Sequence, residues 1–227
     1  MRSLLCLAGL AVLAAPAFAD TKTFNISGFK KIEADSAFRI EFTQSPAYSV
    51  VVDSKYDNMD KIIVEKSGDT LRITRPNNTN LDHKVEDVVR ISAPSLEGLK
   101  LHSAVKFSAD KLDTGDLDID VHSATQVNIG ALKARTVDID AHSAAKFQLS
   151  GECDALKVKM HAAAKLEANG LHCKEASIDV GSASSASVWA NEKVFAEAGV
   201  ASKVLVGGKP KSFEKKASDM AKVTLAD

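Results

Sequence analysis

Aromatic residues are scarce in this sequence, which has one Trp, two Tyr and nine Phe among 227 residues. A groove that stacks sugar rings, or a cage for a quaternary ammonium group, needs several exposed ring faces. The two signs of charge nearly cancel, with 29 Lys and Arg against 30 Asp and Glu. Such a balance lacks the basic excess that binds nucleic acid or an anionic membrane surface, so we predict neither partner.

Signatures of catalysis and of membrane insertion are also missing. The sequence contains neither G-x-S-x-G nor H-E-x-x-H, the motifs of serine hydrolases and zinc proteases. Beyond residue 19, no apolar stretch approaches the roughly 20 residues that a transmembrane helix needs. We therefore predict a protein with no enzymatic activity, no cofactor and no transmembrane segment.

Residues 1–19 are predicted to be a secretory signal peptide. Met1-Arg2 is a short positive start, LLCLAGLAVLAA is an apolar run, and Ala17-Phe18-Ala19 is a typical cleavage signal. The mature chain would then begin at Asp20. Its expected location is the periplasm, the cell surface or the extracellular space.

One motif recurs about every twenty residues. The copies are HSAVKFSA from residue 102, HSATQVNI from 122, HSAAKFQL from 142, HAAAKLEA from 161, GSASSASV from 181, GVASKVLV from 199 and SDMAKVTL from 218. DSAFRIEF from residue 35 is a more distant copy. Apolar and polar residues alternate within each copy, which predicts strands with one buried face.

The copies align their apolar residues in two columns. The first column contains Phe107, Val127, Phe147, Leu166, Ala186, Val204 and Val223, and the second contains Ala109, Ile129, Leu149, Ala168, Val188, Val206 and Leu225. Two short strands and two turns fill a twenty-residue repeat and leave no room for a helix. We predict an all-β, single-domain parallel β-helix whose coils stack about 4.8 Å apart. The alternative, an antiparallel sandwich of hairpins, would not keep one motif in register every twenty residues.

Residues 20–227 are expected to form one domain with two parts. Residues 20–98 are less regular and include KIIVEKSGDTLRIT, which is typical of a hairpin. Because a solenoid needs its open end covered, we predict that this segment forms an N-terminal cap with the first coils. Residues 99–227 would form the regular coils.

Cys153 and Cys173 are the only cysteines after the predicted cleavage site. An even number of cysteines in an exported chain favours a disulfide, whereas two thiols without a C-x-x-C pair make an incomplete zinc site. The two residues occupy the same position in successive repeats. Adjacent coils about 4.8 Å apart satisfy the Cα separation of a disulfide, so we predict that the pair is bonded.

The chain resembles the head GIN domain family, a group assigned as auto-transporter adhesin heads and otherwise of unknown function. The resemblance covers residues 23–226 and is carried by GFKKIEADSAFRIEFTQ, by YSVVVDS followed by SGDTLRIT, and by ISAPSLEGLKLHSAVKF. The stretch DVGSASSASV at 179–188 is similar to the family's repeated line, L-x-V-x-x-S-G-A-S-x-V-x-L. The resemblance implies a β-helical, exported domain and transfers no catalytic residue. Four repeats depart from the family pattern, because histidine replaces its leading glycine.

These four histidines, His102, His122, His142 and His161, share their column with glycine in later repeats. Glycine and histidine both occur at positive φ, so we interpret the column as one bent backbone position whose side chains face solvent. The alternative is a ladder of imidazoles that binds a transition metal ion. We expect no carboxylate or thiol at a fixed offset to complete such a site.

Two charged columns are further candidates for binding. One residue before the first apolar column, lysine recurs at Lys106, Lys146, Lys165, Lys203 and Lys222, and this column could bind an anionic glycan. Asp118, Asp120, Asp138 and Asp140 form an acidic patch, with Lys157 and Lys159 following in the same columns. Stacked carboxylates could hold calcium, although alternating charges are ordinary on a sheet surface.

The predicted function is a non-enzymatic, exported interaction module similar to an adhesin head. It would present a flat, repetitive polar face to an envelope or surface partner, either a glycan or a protein. The alternatives are a periplasmic protein that binds a transition metal through the outward histidine ladder, and a carbohydrate-active enzyme. An enzyme would need unlike groups clustered at one spot, such as paired carboxylates. No oligomeric state follows from the sequence.

Overall fold

The computed structural model describes residues 20–54, 59–76 and 87–226, so the predicted signal peptide lies outside the described residues. Within them, 17 strands form one continuous sheet that is wound into a β-solenoid of about six turns. The predicted all-β solenoid with coils of about twenty residues is confirmed. The only helical element among the described residues is one 3₁₀ turn, Met59–Lys61.

The irregular first half contains nine strands. They are β1 (Asp20–Phe24), β2 (Lys31–Ala34), β3 (Phe38–Gln44), β4 (Ser49–Ser54), β5 (Ile63–Ser67), β6 (Thr70–Thr74), β7 (Asp87–Ala93), β8 (Gly98–Leu101) and β9 (Lys106–Asp113). The regular half contains eight. They are β10 (Asp116–Val121), β11 (Gln126–Ala141), β12 (Lys146–Met160), β13 (Lys165–Val180), β14 (Ser185–Ala198), β15 (Lys203–Gly207), β16 (Ser212–Ala217) and β17 (Lys222–Leu225).

Each regular coil has three short sides, as β12 illustrates. Its in–out alternation is interrupted at residues 150–151 and again at 154–155, and the strand ends at Met160. We call residues 146–150, 151–154 and 155–160 the first, second and third sides, and use the same names for their counterparts in other coils. The sharp corner between the third and first sides follows, at His161 and the next three residues.

Glycine is required at the first corner of β12. Gly151 has φ of 128°, and a Cβ there would lie 2.0 Å from the carbonyl oxygen of Leu132 on the preceding coil. Any other residue would push two coils apart at this point. The corner therefore combines a left-handed backbone with a very close approach of two neighbouring coils.

The N-terminal coils do not stack in chain order. Strand β2 pairs in parallel with both β6 and β8, and β3 pairs in parallel with both β7 and β9. The first coil of the chain is therefore second in the stack, beneath the coil that β6 and β7 form. At this end β4 and β1 extend the sheet beyond β7 in antiparallel fashion, and β5 pairs antiparallel with β6. From β8 onward every pairing is parallel.

The predicted core columns are in register. Val127 pairs with Phe107 on one neighbouring coil and with Phe147 on the other. Both columns are buried throughout, except that Leu225 at the last strand is 47% exposed. Because identical positions lie above one another, the side chains form a continuous core along the stack.

A buried ion pair lies inside the N-terminal coils. The Arg75 guanidinium donates to the Asp87 carboxylate, and both side chains are almost completely enclosed. The guanidinium also lies over the ring of Phe38, 4.5 Å from its centroid. The two charges stabilise each other where neither could remain alone.

Cys153 and Cys173 are bonded, which confirms the predicted pairing. They are directly opposite on β12 and β13, with Cα atoms 4.5 Å apart. Both side chains are buried on the second side, in a column that continues with Ala134 and Ala190. The disulfide therefore joins adjacent coils from inside the core.

Candidate functional site

The imidazoles of the histidine column stack on one another at the sharp corner. The rings of His102 and His122 lie 4.8 Å apart and nearly parallel, and those of His122 and His142 repeat this arrangement. The side chains of His122 and His142 are 38% and 48% exposed. The column thus points outward, as predicted, and each ring covers one face of the next.

The interpretation of these histidines as the bent backbone position is wrong. The left-handed residues are the ones that follow, such as Ser103 and Ala104, at φ of 56° and 65°. His122 and His142 still belong to the sheet, because their N–H groups donate to the carbonyls of Leu101 and Val121 on the preceding coils. The small residues after each histidine therefore form the corner, and histidine itself needs no special backbone.

At Gly181, where glycine first replaces histidine among the regular coils, a side chain would be crowded by the preceding coil. A Cβ on Gly181 would lie 3.1 Å from Nδ1 of His161, so the imidazole of the coil below occupies this space. Gly181 does not adopt a left-handed conformation. Glycine at this position is therefore explained by the neighbouring imidazole and not by a left-handed backbone.

Two aspartate carboxylates lie next to imidazoles of the histidine column. Oδ1 of Asp120 lies 3.0 Å from Nε2 of His122, and Oδ1 of Asp140 lies 3.2 Å from Nε2 of His142. Both pairs have the sequence D-x-H, which puts the two outward side chains on either side of one inward residue. The expectation that no carboxylate accompanies the histidines is therefore wrong, and the D-x-H spacing was the signal that could have revealed it.

These close contacts are not hydrogen bonds. Oδ1 of Asp120 and Oδ1 of Asp140 are shielded from solvent, yet neither accepts a hydrogen bond from the described residues. Nε2 of each imidazole lies within ion-pair distance of its oxygen, but neither contact has the geometry of a hydrogen bond. A short distance alone does not make a hydrogen bond, since the bond weakens steeply as the donor–hydrogen–acceptor angle departs from linearity.

The acidic patch lies directly below this corner, on the third side. Asp118 pairs with Asp138 on the next coil, and Asp120 pairs with Asp140. Partial burial raises the pKa of the Asp118 carboxyl, and the neighbouring charges of Asp138 and Asp120 raise it further. Like charges at this spacing disfavour the ionised form, so the patch is electrostatically strained.

The predicted lysine column runs along the first side. Lys106, Gln126, Lys146, Lys165, Ser185, Lys203 and Lys222 occupy successive coils in register. Lys106, Lys146 and Lys165 are all exposed. Lys165 forms an ion pair with Glu167, and its hydrogen bond and charge lower the pKa of that carboxyl.

The C-terminal part of this column borders a shallow depression of about 530 Å³. Ser185 and Ser187 form its floor, because they are the smallest outward residues on this side. Lys165, Lys203 and Lys222 line it. All three lysines belong to the column that the repeat alignment predicted.

A larger groove, of about 740 Å³, lies beside the disulfide on the second side. The single Trp189 borders this groove, but the neighbouring coils cover its indole. His172 stacks on it at 4.3 Å, and a Cβ on Gly207 or Gly208 would approach the indole within 3.1 or 2.9 Å. Because both ring faces are occupied, this tryptophan does not offer a platform for a sugar.

The profile of a protein family described as "putative auto-transporter adhesin, head GIN domain" matches residues 28–210. This chain belongs to that family. The match covers most of the sequence and confirms the resemblance that the repeated lines indicated.

Solved structures with the same fold are similar along almost the whole chain. A putative adhesin from Bacteroides fragilis has a TM-score of 0.86 at 17% identity, covering 91% of this chain and 96% of its own. One from Parabacteroides merdae has a TM-score of 0.74 at 15% identity, covering 92% and 96%. A putative lipid binding protein from Parabacteroides distasonis has a TM-score of 0.71 at 14% identity, with the same coverage. No curated protein sequence matches the chain significantly.

The solved structures show the fold, and family membership supports an adhesin-like, exported or surface protein with a non-enzymatic role. They give no support to metal binding as the main role. In the described part of the chain, the single 3₁₀ turn is far too short to cross a membrane.

Proposed function

We propose that this protein is an exported interaction module that binds an anionic polymer along the first side of its solenoid. The observation that carries the proposal is the column of lysines held in register on successive coils. Parallel pairing spaces these positions by about 4.8 Å per coil. A row of like charges at fixed spacing matches a partner whose negative charges also repeat.

An anionic glycan fits this surface better than a folded protein. The depression over Ser185 and Ser187 is long and shallow, and three lysines line it. Lysine binds anionic groups as a flexible point charge, which suits a polymer with variable geometry. A tight protein interface would need aromatic or arginine anchors, whereas the outward residues of this column are lysine, serine and glutamine.

Titration of the mature protein with polygalacturonate, followed by calorimetry in buffer with a chelator, tests the proposal. Replacing Lys165, Lys203 and Lys222 together with glutamine should weaken binding by about tenfold or more, since each exposed charge contributes up to about 1 kcal/mol. Binding should also weaken with added salt, because the contacts are exposed to screening. Neutral dextran serves as the uncharged comparison and should not bind.

The matched control replaces three lysines of the third side, Lys157, Lys193 and Lys215, with glutamine. It lowers the net charge equally but leaves the column intact. If both triple variants lose the same affinity, attraction is due to overall charge and the lysine column is not the site. If the parent does not bind polygalacturonate at all, an anionic glycan of this kind is not the partner.

A further inference from the structure

We propose that Asp120, His122 and His142 form a binding site for one divalent transition-metal ion, of the class that includes zinc, nickel and copper. Their ligand atoms lie within 4.8 Å of one another, and this is the only cluster of its kind among the residues described. The site is on the corner between the third and first sides. It does not depend on the lysine column, which faces a different surface.

The separation of Asp120 and His122 fits two ligands of one ion. Metal–nitrogen and metal–oxygen bonds of about 2.0–2.2 Å, at angles of about 90–109°, put adjacent ligand atoms about 2.8–3.6 Å apart. The observed distance is 3.0 Å between Oδ1 and Nε2. In such a pair the two atoms point toward a shared third point and not at each other.

The absence of a directed hydrogen bond supports this interpretation. Oδ1 of Asp120 is shielded from solvent and receives no hydrogen bond from the described residues, although an imidazole nitrogen is close. A shielded carboxylate oxygen without a partner is unfavourable. A cation held between this oxygen and the imidazole would satisfy it, and Oδ1 of Asp140 is in the same situation beside His142.

The carboxylates confine the site to two of the four histidine coils. Asp120 pairs with Lys100 on one neighbouring coil, and Asp140 pairs with Lys159 on the other. His102 and His161 therefore have a lysine two residues before them where His122 and His142 have an aspartate. An ammonium group at that position repels a cation, so the site ends where the D-x-H pattern ends.

The donor set determines the class of ion. Two imidazoles and one carboxylate are typical ligands of zinc, nickel and copper. Calcium and magnesium prefer shells composed entirely of oxygen. Because the imidazoles are partly exposed, further coordination positions would remain open to solvent or to a donor group of a partner.

The test uses the mature protein without an affinity tag, with zinc as the probe and calorimetry and melting temperature as the readouts. We expect one ion per chain and a melting temperature that rises with zinc. Asp120→Asn and His142→Gln should each weaken zinc binding about tenfold or more. In the same samples without zinc, His142→Gln should melt near the parent, and Asp120→Asn at or slightly above it, because it removes one charge of the acidic patch.

His102→Gln and His161→Gln are the matched controls and should leave zinc affinity within about threefold of the parent. Histidine NMR signals provide a second readout, and zinc should shift those of His122 and His142 most. Absence of zinc binding, or unchanged affinity in Asp120→Asn, would overturn the proposal. So would equal losses in the two control variants, because the ions would then bind along the whole column. Displacement of zinc by calcium would likewise overturn it, in favour of the acidic patch.

Discussion

The irregular first half, residues 20–113, and the regular half, residues 116–226, share the same stacked sides but fill their cores differently. Four of the five buried phenylalanines among the described residues, Phe29, Phe38, Phe42 and Phe107, lie in the first half, and the fifth, Phe147, precedes Met160. Beyond Met160 the buried residues include Ala164, Ala168, Ala176, Ala186, Ala190, Ala196 and Ala198. The apolar area buried per coil therefore decreases along the stack.

The C-terminal end of the solenoid is also less well covered than the N-terminal end. Antiparallel strands β1, β4 and β5 cover the N-terminal coils, whereas β16 and β17 form the last layer that the structure describes. Among the described residues, four of the five exposed large apolar side chains, Val200, Leu205, Met220 and Leu225, lie in these last coils. Because each coil contacts only its neighbours, we infer that stability is graded, from a strong N-terminal end to a weak C-terminal end.

The largest effect is expected from the buried ion pair of the N-terminal coils. Arg75→Met leaves the Asp87 carboxylate enclosed without its cation, which should lower the free energy of unfolding by about 3–5 kcal/mol. Urea unfolding measures the change. The double variant Arg75→Met with Asp87→Leu should recover most of the loss, because it removes both charges. A single variant as stable as the parent would show that this pair does not hold the N-terminal coils together.

Two residues of the same core column test the gradient directly. Phe107→Ala removes a ring that packs against Phe42, with centroids 6.3 Å apart, and should cost about 3–5 kcal/mol. Val223→Ala, at the last strand, removes two methyl groups and should cost about 1 kcal/mol. Hydrogen exchange should become faster throughout the chain in Phe107→Ala, and only near the C-terminus in Val223→Ala. Equal costs would contradict a graded solenoid.

The disulfide links two adjacent coils in the alanine-rich half. Replacing Cys153 and Cys173 together with alanine opens a loop with a sequence separation of 20 and should cost about 3 kcal/mol in the chain-entropy model. Hydrogen exchange should accelerate from β13 onward and change little in β2 and β3. Uniform acceleration over all coils would indicate that the two halves unfold as one unit.

The smallest effect concerns the acidic patch at the start of the regular coils. Because the folded pKa of Asp118 lies above its ordinary value of 3.8, the folded state binds more protons between these two values. Stability then falls as pH rises through this window, and the full penalty persists at neutral pH. Asp118→Asn should therefore stabilise the protein at pH 7 by about 0.2–1 kcal/mol.

This gain should disappear below the ordinary value of 3.8, where the carboxyl is protonated in both states. Melting curves in a chelating buffer at several pH values would measure it. Asp154→Asn is the control, because Asp154 forms an ion pair with Lys174 at 2.7 Å and its loss should bring no gain. A gain of equal size in both variants, or one independent of pH, would exclude repulsion within the patch as the cause.

Much of the fold could be predicted because equivalent positions of successive coils stack directly on one another in a solenoid. Once the repeat and its alternation are known, the columns that contain Val127 and the pairing of Cys153 with Cys173 follow from register alone. The order of the N-terminal coils could not be predicted. Strand β2 lies between β6 and β8, and nothing in a local pattern states which distant strand returns to pair with it.

The sequence by itself determined the strands, the inward columns, the outward lysines and the disulfide, because each depends on spacing along the chain and on a constant step between coils. Only the tertiary structure decided the corner. It shows that Ser103 and its counterparts form the bend, and that Asp120 faces His122 at 3.0 Å without a directed hydrogen bond. Backbone angles and the direction of an N–H group depend on the packing of neighbouring coils, which a repeat pattern does not contain.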